Sequence, residues 1–524
     1  MSDEGIPDVL RVAGMIVLAA LAAAAILAPR ARPRAAAMLA ALVLTPVLLI
    51  AEIWSSPQVA GIRDRPLLAL AGTAVALAVI AGLAVLMARR PGVLAVAAVA
   101  ALPFRVPIES GGSTANLLVP LYVVIGAGAL AWLVPRLRDV EDYDPPRQNG
   151  RLEWLLLGFV ALYAVQSAYS PDTAKALEQV VFFYVPFALL FALLRELEWS
   201  PRLLKVCFGV TVGLALVFAG IGFVEYQMRE LLLNPKVISS NQFEEYFRVN
   251  SLFFDPNIYG RFLALVMLGL AGVLLWVSRT RVVVAAVVAL VILWGGLLLT
   301  LSQSSFAALL AGLAVLAALR FRMRWTVAAV AVLAAAAVVV VVAFSGALRI
   351  DFTSTDSLDQ ATSGRYDLMA GGVTLARERP LLGWGSGAFS HAYRRQERAS
   401  SAQAVSASHT IPITVFAEQG IVGLAVYLAL LAAALARLLS GARSWWPRAV
   451  IAACFVALVV HTWLYAAFLE DPITWTLLGV GVALARGAAS AVPGGREAGG
   501  AGSDGRAVVA GRPAGGPVPA APAK

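Results

Sequence analysis

Charge is scarce in this chain. Of its 524 residues, 14% are Asp, Glu, Lys or Arg, while 60% are hydrophobic. A water-soluble chain needs more polar surface than that to cover its core, which excludes an ordinary soluble protein. Cysteine is scarcer still. Cys207 and Cys454 are the two; both lie in apolar runs, so they read as buried thiols, not as a disulfide or a metal pair. There are three histidines, His391, His409 and His461. With no CxxC or HExxH spacing, no zinc site is expected. A net charge of +10 could point to nucleic acid in a soluble protein. Here basic loops on one side of a membrane account for it, and no nucleic-acid partner is expected.

What the chain has instead is a series of apolar runs of about 17–25 residues, each long enough to cross a bilayer. They do not alternate as barrel strands do. The fold expected is an all-α polytopic membrane protein with about 12–15 transmembrane helices. The predicted spans are 9–28, 35–54, 67–88, 92–104, 117–135, 153–169, 179–195, 203–225, 257–277, 282–300, 303–319, 325–344, 411–436, 449–468 and 473–486. The fourth and the last are short for a full crossing. Trp199, Trp276, Trp325, Trp445 and Trp446 stand at span ends, as interfacial anchors do. Gly209 and Gly213, three residues apart, have the spacing of a helix-packing pair.

Basic turns at 89–90, 135–151, 195–205, 278–281, 320–324 and 437–448 alternate with loops poorer in net positive charge, 55–66, 105–116, 170–178, 227–256, 345–410 and 470–472. Positive charge marks the cytoplasmic side, so the second set is expected outside. The acidic start MSDEGIPDV precedes an apolar run and then a basic turn, the reverse of a cleaved signal; an uncleaved first helix with an outer N-terminus is expected. The organisation expected is N-terminal transmembrane helices at 1–150 and a transmembrane core at 151–344. An Arg-rich extracytoplasmic loop at 345–410, between the twelfth and thirteenth spans, and C-terminal helices at 411–486 follow. A disordered Gly/Pro/Ala-rich cytoplasmic tail fills 487–524.

The outer loop carries the candidate chemistry. His409 lies just ahead of an apolar helix for which Thr410 is the N-cap and Pro412 sits in the first turn. The positive end of that helix favours a phosphate and disfavours an imidazolium, so a neutral, proton-accepting His409 fits; on position alone it also fits a surface histidine without a role. The same loop holds Arg365, Arg377, Arg379, Arg394, Arg395 and Arg398, matched by a similar number of acids. Most of these arginines read as solvated surface. Arg365 is the best phosphate fork, because an amphipathic stretch able to lie on a membrane surface follows it (Tyr366, Leu368, Met369, Val373, Leu375).

In RVNSLFFDPNIYGR, residues 248–261, Asp255 is a cap, Pro256 a helix start, and Arg261 lies one turn inside the membrane. At that depth an arginine faces a cavity or partner, or snorkels to the interface. Arg105, in LPFRVPI, has the same character. Glu52, Glu225 and His461 sit near span ends and read as interfacial residues. LTLSQSS, residues 299–305, joins two spans with hydroxyls able to satisfy backbone at a break, and is assigned structure.

Four of these motifs together resemble the O-antigen ligase and polymerase superfamily. His409-Thr410, nine residues, Gly420, two residues and Gly423, within AEQGIVGL, is similar to that family's histidine–glycine signature. SGRYDLMAGGVTLARERPLLGWGSGAF, residues 363–389, resembles its Arg segment with a Pro-Leu-x-Gly-x-Gly end at Gly383 and Gly385. SLFFDPNIYGRFLAL resembles its Pro-Asn helix start, and TLSQSSFAALL its Thr-x-Ser-Arg segment. Thr410 stands where the family usually has Asn, Ser or Gln, and Gln303 where it often has Arg.

The resemblance implies a GT-C type membrane glycosyltransferase of the bacterial cytoplasmic membrane. It would move a glycan from an undecaprenyl-diphosphate carrier to an acceptor hydroxyl on the outer face, without nucleotide sugar, metal or other cofactor. It implies His409 and Arg365 as catalytic residues. Arg261, Arg248, Thr410 and Asn257 would bind the diphosphate, and Glu418, Gly420, Gly423, Gly383 and Gly385 would form a structural motif. The acceptor, whether glycan, lipid or protein, is not set by these motifs, so ligase, polymerase and O-linked protein glycosyltransferase remain alternatives. A polyprenyl-glycan flippase would show paired broken helices in two halves and mid-membrane acids, neither of which is seen. A non-catalytic scaffold would have no need of His409.

Overall fold

The computed structural model describes residues 6–54, 64–110, 113–138, 148–232, 247–321, 365–397 and 410–490. The expected span at 325–344, Trp325, His409 and the tail from 491 lie outside the described residues, as do the side chains of 106–110, 113–116 and 365–367.

The architecture is a helical bundle. In chain order it contains α1 (Asp8–Leu27), α2 (Ala31–Ile53), α3 (Pro66–Arg89) and a short α4 (Gly92–Ala101). A two-stranded antiparallel hairpin, β1 (Val106–Ser110) and β2 (Ser113–Leu117), follows, pairing Val106 with Leu117. This hairpin was not expected. Then come α5 (Val119–Arg138), α6 (Arg151–Gln166) and α7 (Thr173–Leu194), the last widened into a π-turn at Val180–Tyr184. The chain continues with α8 (Pro201–Met228), α9 (Pro256–Trp276), α10 (Thr280–Thr300) and α11 (Gln303–Arg320). After the gap come α12 (Arg365–Glu378), α13 (Phe389–Glu397), α14 (Ile411–Leu439), α15 (Trp446–Leu464) and α16 (Pro472–Ser490).

Among the described residues, 12 helices are long and apolar enough to cross a membrane. The chain is an all-α polytopic membrane protein. α4 is the short apolar helix its sequence foretold.

The centre is built from α9, α7 and α15, whose side chains are mostly buried by other helices. α3 is at the other extreme. Leu67, Leu68, Leu70, Val75, Leu77 and Val79 project outward from it, an arrangement stable against hydrocarbon and not against water. Starts are set by local chemistry. The Asp255 carboxylate accepts from the Asn257 N–H at 2.6 Å and Pro256 opens α9, while the Ser200 and Ser302 hydroxyls cap α8 and α11. Close approach is bought at particular glycines: a Cβ on Gly260 would meet the Ser305 hydroxyl at 2.7 Å. Gly209 and Gly213 are not such sites, since a Cβ on either would meet no other part of the protein within 4 Å; their spacing faces open space.

Four further expectations need correction. Trp199 is buried and its indole N–H donates to the Leu194 carbonyl at 3.0 Å, ending α7 instead of anchoring at lipid. Glu225 is fully buried and accepts from the Ser251 and Leu232 N–H groups at 2.7 and 3.2 Å, so it ties the end of α8 to the segment before α9. His461 is also fully buried, within 3.2–3.3 Å of the Ser304 and Ser305 hydroxyls and the Asn257 carbonyl. α12 does not lie on a membrane surface by its apolar face. Leu368, Leu375 and Ala376 pack on Phe389, Ala392, Tyr393 and Ala417.

Candidate active site

At one end of the bundle, helix ends and loops enclose a cavity of about 620 Å³. Its walls come from Arg105, from Phe159 and Tyr163 of α6, from α7 between Lys175 and Tyr184, from Phe254 and Ile258 at the start of α9, from Gly387, from the first turns of α14, and from Ala466–Glu470 between α15 and α16. These segments all belong to the end opposite the basic turns.

The α14 wall depends on a break. Ile411, Thr414, Val415 and Glu418 line the cavity; Thr410 takes the N-cap position without a side-chain capping hydrogen bond, and Pro412 stands in the first turn. Gly420 then takes φ 66°, ψ −165°, a backbone that side chains rarely adopt. The break frees carbonyl and amide groups that lipid or a dry interior would leave unsatisfied. The loop between α12 and α13 satisfies them. Trp384 and Gly385 donate to the Ala417 and Glu418 carbonyls at 2.9 and 2.8 Å, and Ile421 donates to the Pro380 carbonyl at 2.8 Å. Gly383, Gly385 and Gly387 in that loop have φ of 73°, 100° and 76°. A Cβ on Gly383 would land on Glu418 backbone, and one on Gly420 on the Leu381 carbonyl. Glycine is needed at both positions for positive φ and for close approach. Gly423 serves differently, leaving room for the Gln419 side chain one turn back.

Glu418 fastens the same joint by its side chain. Its two oxygens accept from the Gly387 and Phe389 N–H groups at 3.0 and 3.1 Å, so a carboxylate from one helix caps the N-terminus of another. α6 completes the joint. Gln166 donates to the Gln419 carbonyl at 3.2 Å, the Tyr169 hydroxyl donates to the Leu382 carbonyl at 2.6 Å, and the Ser386 hydroxyl donates to the Tyr163 carbonyl at 2.7 Å. These α6 partners had no signal in the sequence, because their donors and acceptors lie more than 200 residues apart.

The α7 wall uses its π-turn. The widened turn presents Phe182, Phe183 and Tyr184 consecutively to the cavity. The Phe182 carbonyl accepts from the Tyr122 hydroxyl at 2.8 Å.

The ionisable groups on the walls are unevenly occupied. Lys175 is paired with Glu178 at 2.9 Å, and Glu418 is spent on backbone. Glu470 lies between α15 and α16, and burial pushes its carboxyl above the ordinary range, against the lowering effects of hydrogen bonds from its own and the Phe468 backbone and of Lys175. Arg105 stacks its guanidinium 5.0 Å over the Phe254 ring. Burial pushes the guanidinium below its ordinary value, and Asp471 is the strongest opposing charge.

Of the residues expected to bind diphosphate, Arg261, Arg248 and Asn257 are not among those lining the cavity. Arg261 is fully buried behind the wall, ion-paired with Asp471, and donates to the Ala467 carbonyl at 3.4 Å. Arg248 donates to the Thr300 carbonyl at 2.9 Å and to Asn257 Oδ1 at 3.3 Å. Asn257 Oδ1 also accepts from the Ser302 hydroxyl at 2.8 Å, within the hydroxyl cluster that includes Ser305 and His461. That cluster satisfies the short α10–α11 junction, as LTLSQSS was expected to do. The Arg365 side chain and His409 lie outside the described residues. Thr410, adjacent to His409, precedes the lining residue Ile411.

Comparison with known proteins agrees with the motifs. No curated protein matches the chain. The family model described as O-antigen ligase matches residues 288–428, which include the loop glycines, the cavity-facing start of α14 and Gly420. Over residues 288–428, the chain is similar to the O-antigen ligase family.

Proposed function

We propose that the chain is a GT-C type glycosyltransferase of the bacterial cytoplasmic membrane, with its cavity on the extracytoplasmic face. It transfers a glycan from an undecaprenyl-diphosphate carrier to an acceptor hydroxyl. The observation that carries this reading is the cavity at the start of α14: Ile411, Thr414 and Val415 face it, and His409 immediately precedes that turn. In the sequence, His409 is two residues ahead of the lining residue Ile411.

His409 then takes the proton of the acceptor hydroxyl as its oxygen attacks the anomeric carbon. The bond from that carbon to the diphosphate breaks, and the charge left on the leaving group needs cationic donors. Arg365, at the start of α12, is the fork assigned to it from the family segment. The break at Gly420 and its glycine loop hold α12, α13 and the α14 start as one unit. Positioning of His409 and Arg365 therefore rests on the same joint.

The test is transfer measured in vesicles from a synthetic polyprenyl-diphosphate glycan. His409→Ala should lower turnover by about 10²–10⁴-fold, the range of a lost general base, with the protein still inserted. Arg365→Lys should weaken donor use while leaving the charge. Near-normal transfer by His409→Ala would remove His409 from the chemistry and, with it, this reading.

A further inference from the structure

Arg105 stands outside the segment that matches the family, and its surroundings set it apart. It lines the cavity, yet among the described residues its guanidinium makes no hydrogen bond and no ion pair. Three fully buried arginines are matched. Arg34 pairs with Glu196, Arg195 faces Glu153 and Glu196, and Arg261 pairs with Asp471. Taking a cation out of water without an anion is costly. A guanidinium that lines a cavity on those terms has its five donors available to a ligand.

The reason Arg105 is unmatched is next to it. Asp471 is the carboxylate acting most strongly on Arg105, but Arg261 holds it. Phe254 supports the guanidinium plane from one side, leaving the fork edge for an incoming group. Planar bidentate donation suits a phosphate or diphosphate oxyanion better than a neutral sugar hydroxyl.

We propose that Arg105 binds the phosphate oxyanion of the ligand in this cavity, and that Arg261 keeps it available by occupying Asp471. Arg105 touches the ligand; Arg261 acts as a positioning residue. The identification of that oxyanion as a lipid-linked diphosphate rests on the transfer reading above.

The experiment uses the full-length protein in detergent, with farnesyl diphosphate, inorganic diphosphate and farnesol as probes in titration calorimetry, and thermal unfolding as a control. Arg105→Gln should weaken farnesyl diphosphate binding by about 10–100-fold, the range of lost charge-assisted bonds. Arg105→Lys should fall between. Both should unfold within about a degree of the wild-type temperature or above it, because no hydrogen-bond or ion-pair partner is lost and only the stacking on Phe254 changes. Arg261→Gln should weaken binding as well, since the released Asp471 can neutralise Arg105, and Arg261→Gln/Asp471→Asn should recover it.

Binding of inorganic diphosphate with the same sensitivity to Arg105 would place the source in the phosphate alone; dependence on the farnesyl chain would place it in a lipid headgroup. Unchanged affinity in Arg105→Gln, a fall in unfolding temperature of more than about a degree in both Arg105 variants, or binding of farnesol equal to that of farnesyl diphosphate would overturn the proposal. The two readings separate cleanly. Arg105-dependent binding with normal transfer by His409→Ala leaves the anion site standing and removes the transfer reading. Wild-type affinity in Arg105→Gln with an inactive His409→Ala does the reverse.

Discussion

The two ends of the bundle treat arginine in opposite ways. At the basic end, Arg34, Arg195 and Arg486 meet Glu196 and Glu153 at 3.0–3.7 Å, and Arg195 also donates to the Ile26 carbonyl at 2.6 Å. Residues from α1, α2, α6, α7 and α16 are thereby joined in one network. At the cavity end, Arg261 is matched by Asp471, while among the described residues Arg105 has no ion pair. A network in which every charge has a carboxylate holds helices; a cation without one, facing a space, is set for something that arrives. Residue type is the same at the two ends, and the placement of carboxylates separates structure from binding.

The largest effect expected from breaking this comparison is at the matched end. Arg195→Met removes the cation shared by Glu153 and Glu196 and leaves buried carboxylates short of a partner. Loss of one member of such a buried set costs about 3–5 kcal/mol, so the unfolding temperature in detergent should fall strongly. Arg105→Gln, an equally drastic change of charge at the other end, should not lower it. Equal destabilisation by the two variants would erase the distinction.

A smaller effect is expected at Glu418, which belongs to neither class. It is a carboxylate spent wholly on backbone N–H groups. Glu418→Gln keeps the shape but leaves one oxygen where two accepted, and its amide N–H₂ faces a donor. An unsatisfied buried group costs about 1–3 kcal/mol. Stability should drop by that order, and glycan transfer should drop with it, because the joint that sets the start of α14 loosens. Full transfer with lowered stability would show that the joint is only scaffolding.

How far the sequence carried these conclusions follows the range of the interactions. Apolar runs are local, and the spans read from them match the helices closely among the described residues; Asp255 and Pro256 likewise start α9 where their types demand. The glycine positions were legible as a motif because a helix break needs positive φ at one residue and close approach at its partners. Their meaning, a loop laid across a broken helix, was not legible. The buried polar groups were misread. Glu225 meets Ser251, His461 meets Ser304 and Ser305, and Arg261 meets Asp471 across 26, 157 and 210 residues. Nothing in the spacing of a single segment records such a partner. Arg105 had the same look as Arg261 in sequence, and only the position of Asp471 divides them.

The smallest expected effect concerns Glu470, the acid on the cavity wall that is left when Lys175–Glu178 and Glu418 are accounted for. Burial raises its carboxyl pKa in the folded protein. The folded state thus binds the proton more tightly than the unfolded state does. The stability this contributes is fully present below the ordinary glutamate range and is lost as pH rises through the folded value. Glu470→Gln, which cannot ionise, should remove that loss. The variant should match the wild type in unfolding temperature near pH 4 and exceed it slightly near pH 8, and the gap should grow with pH between them. A phosphate-bearing ligand held by Arg105 would meet an ionised Glu470 as a like charge, so the same substitution should also flatten the decline of farnesyl diphosphate affinity with rising pH. If wild type and variant instead show parallel pH profiles, Glu470 is ionised and matched in the folded state, and the cavity end has the same charge logic as the basic end.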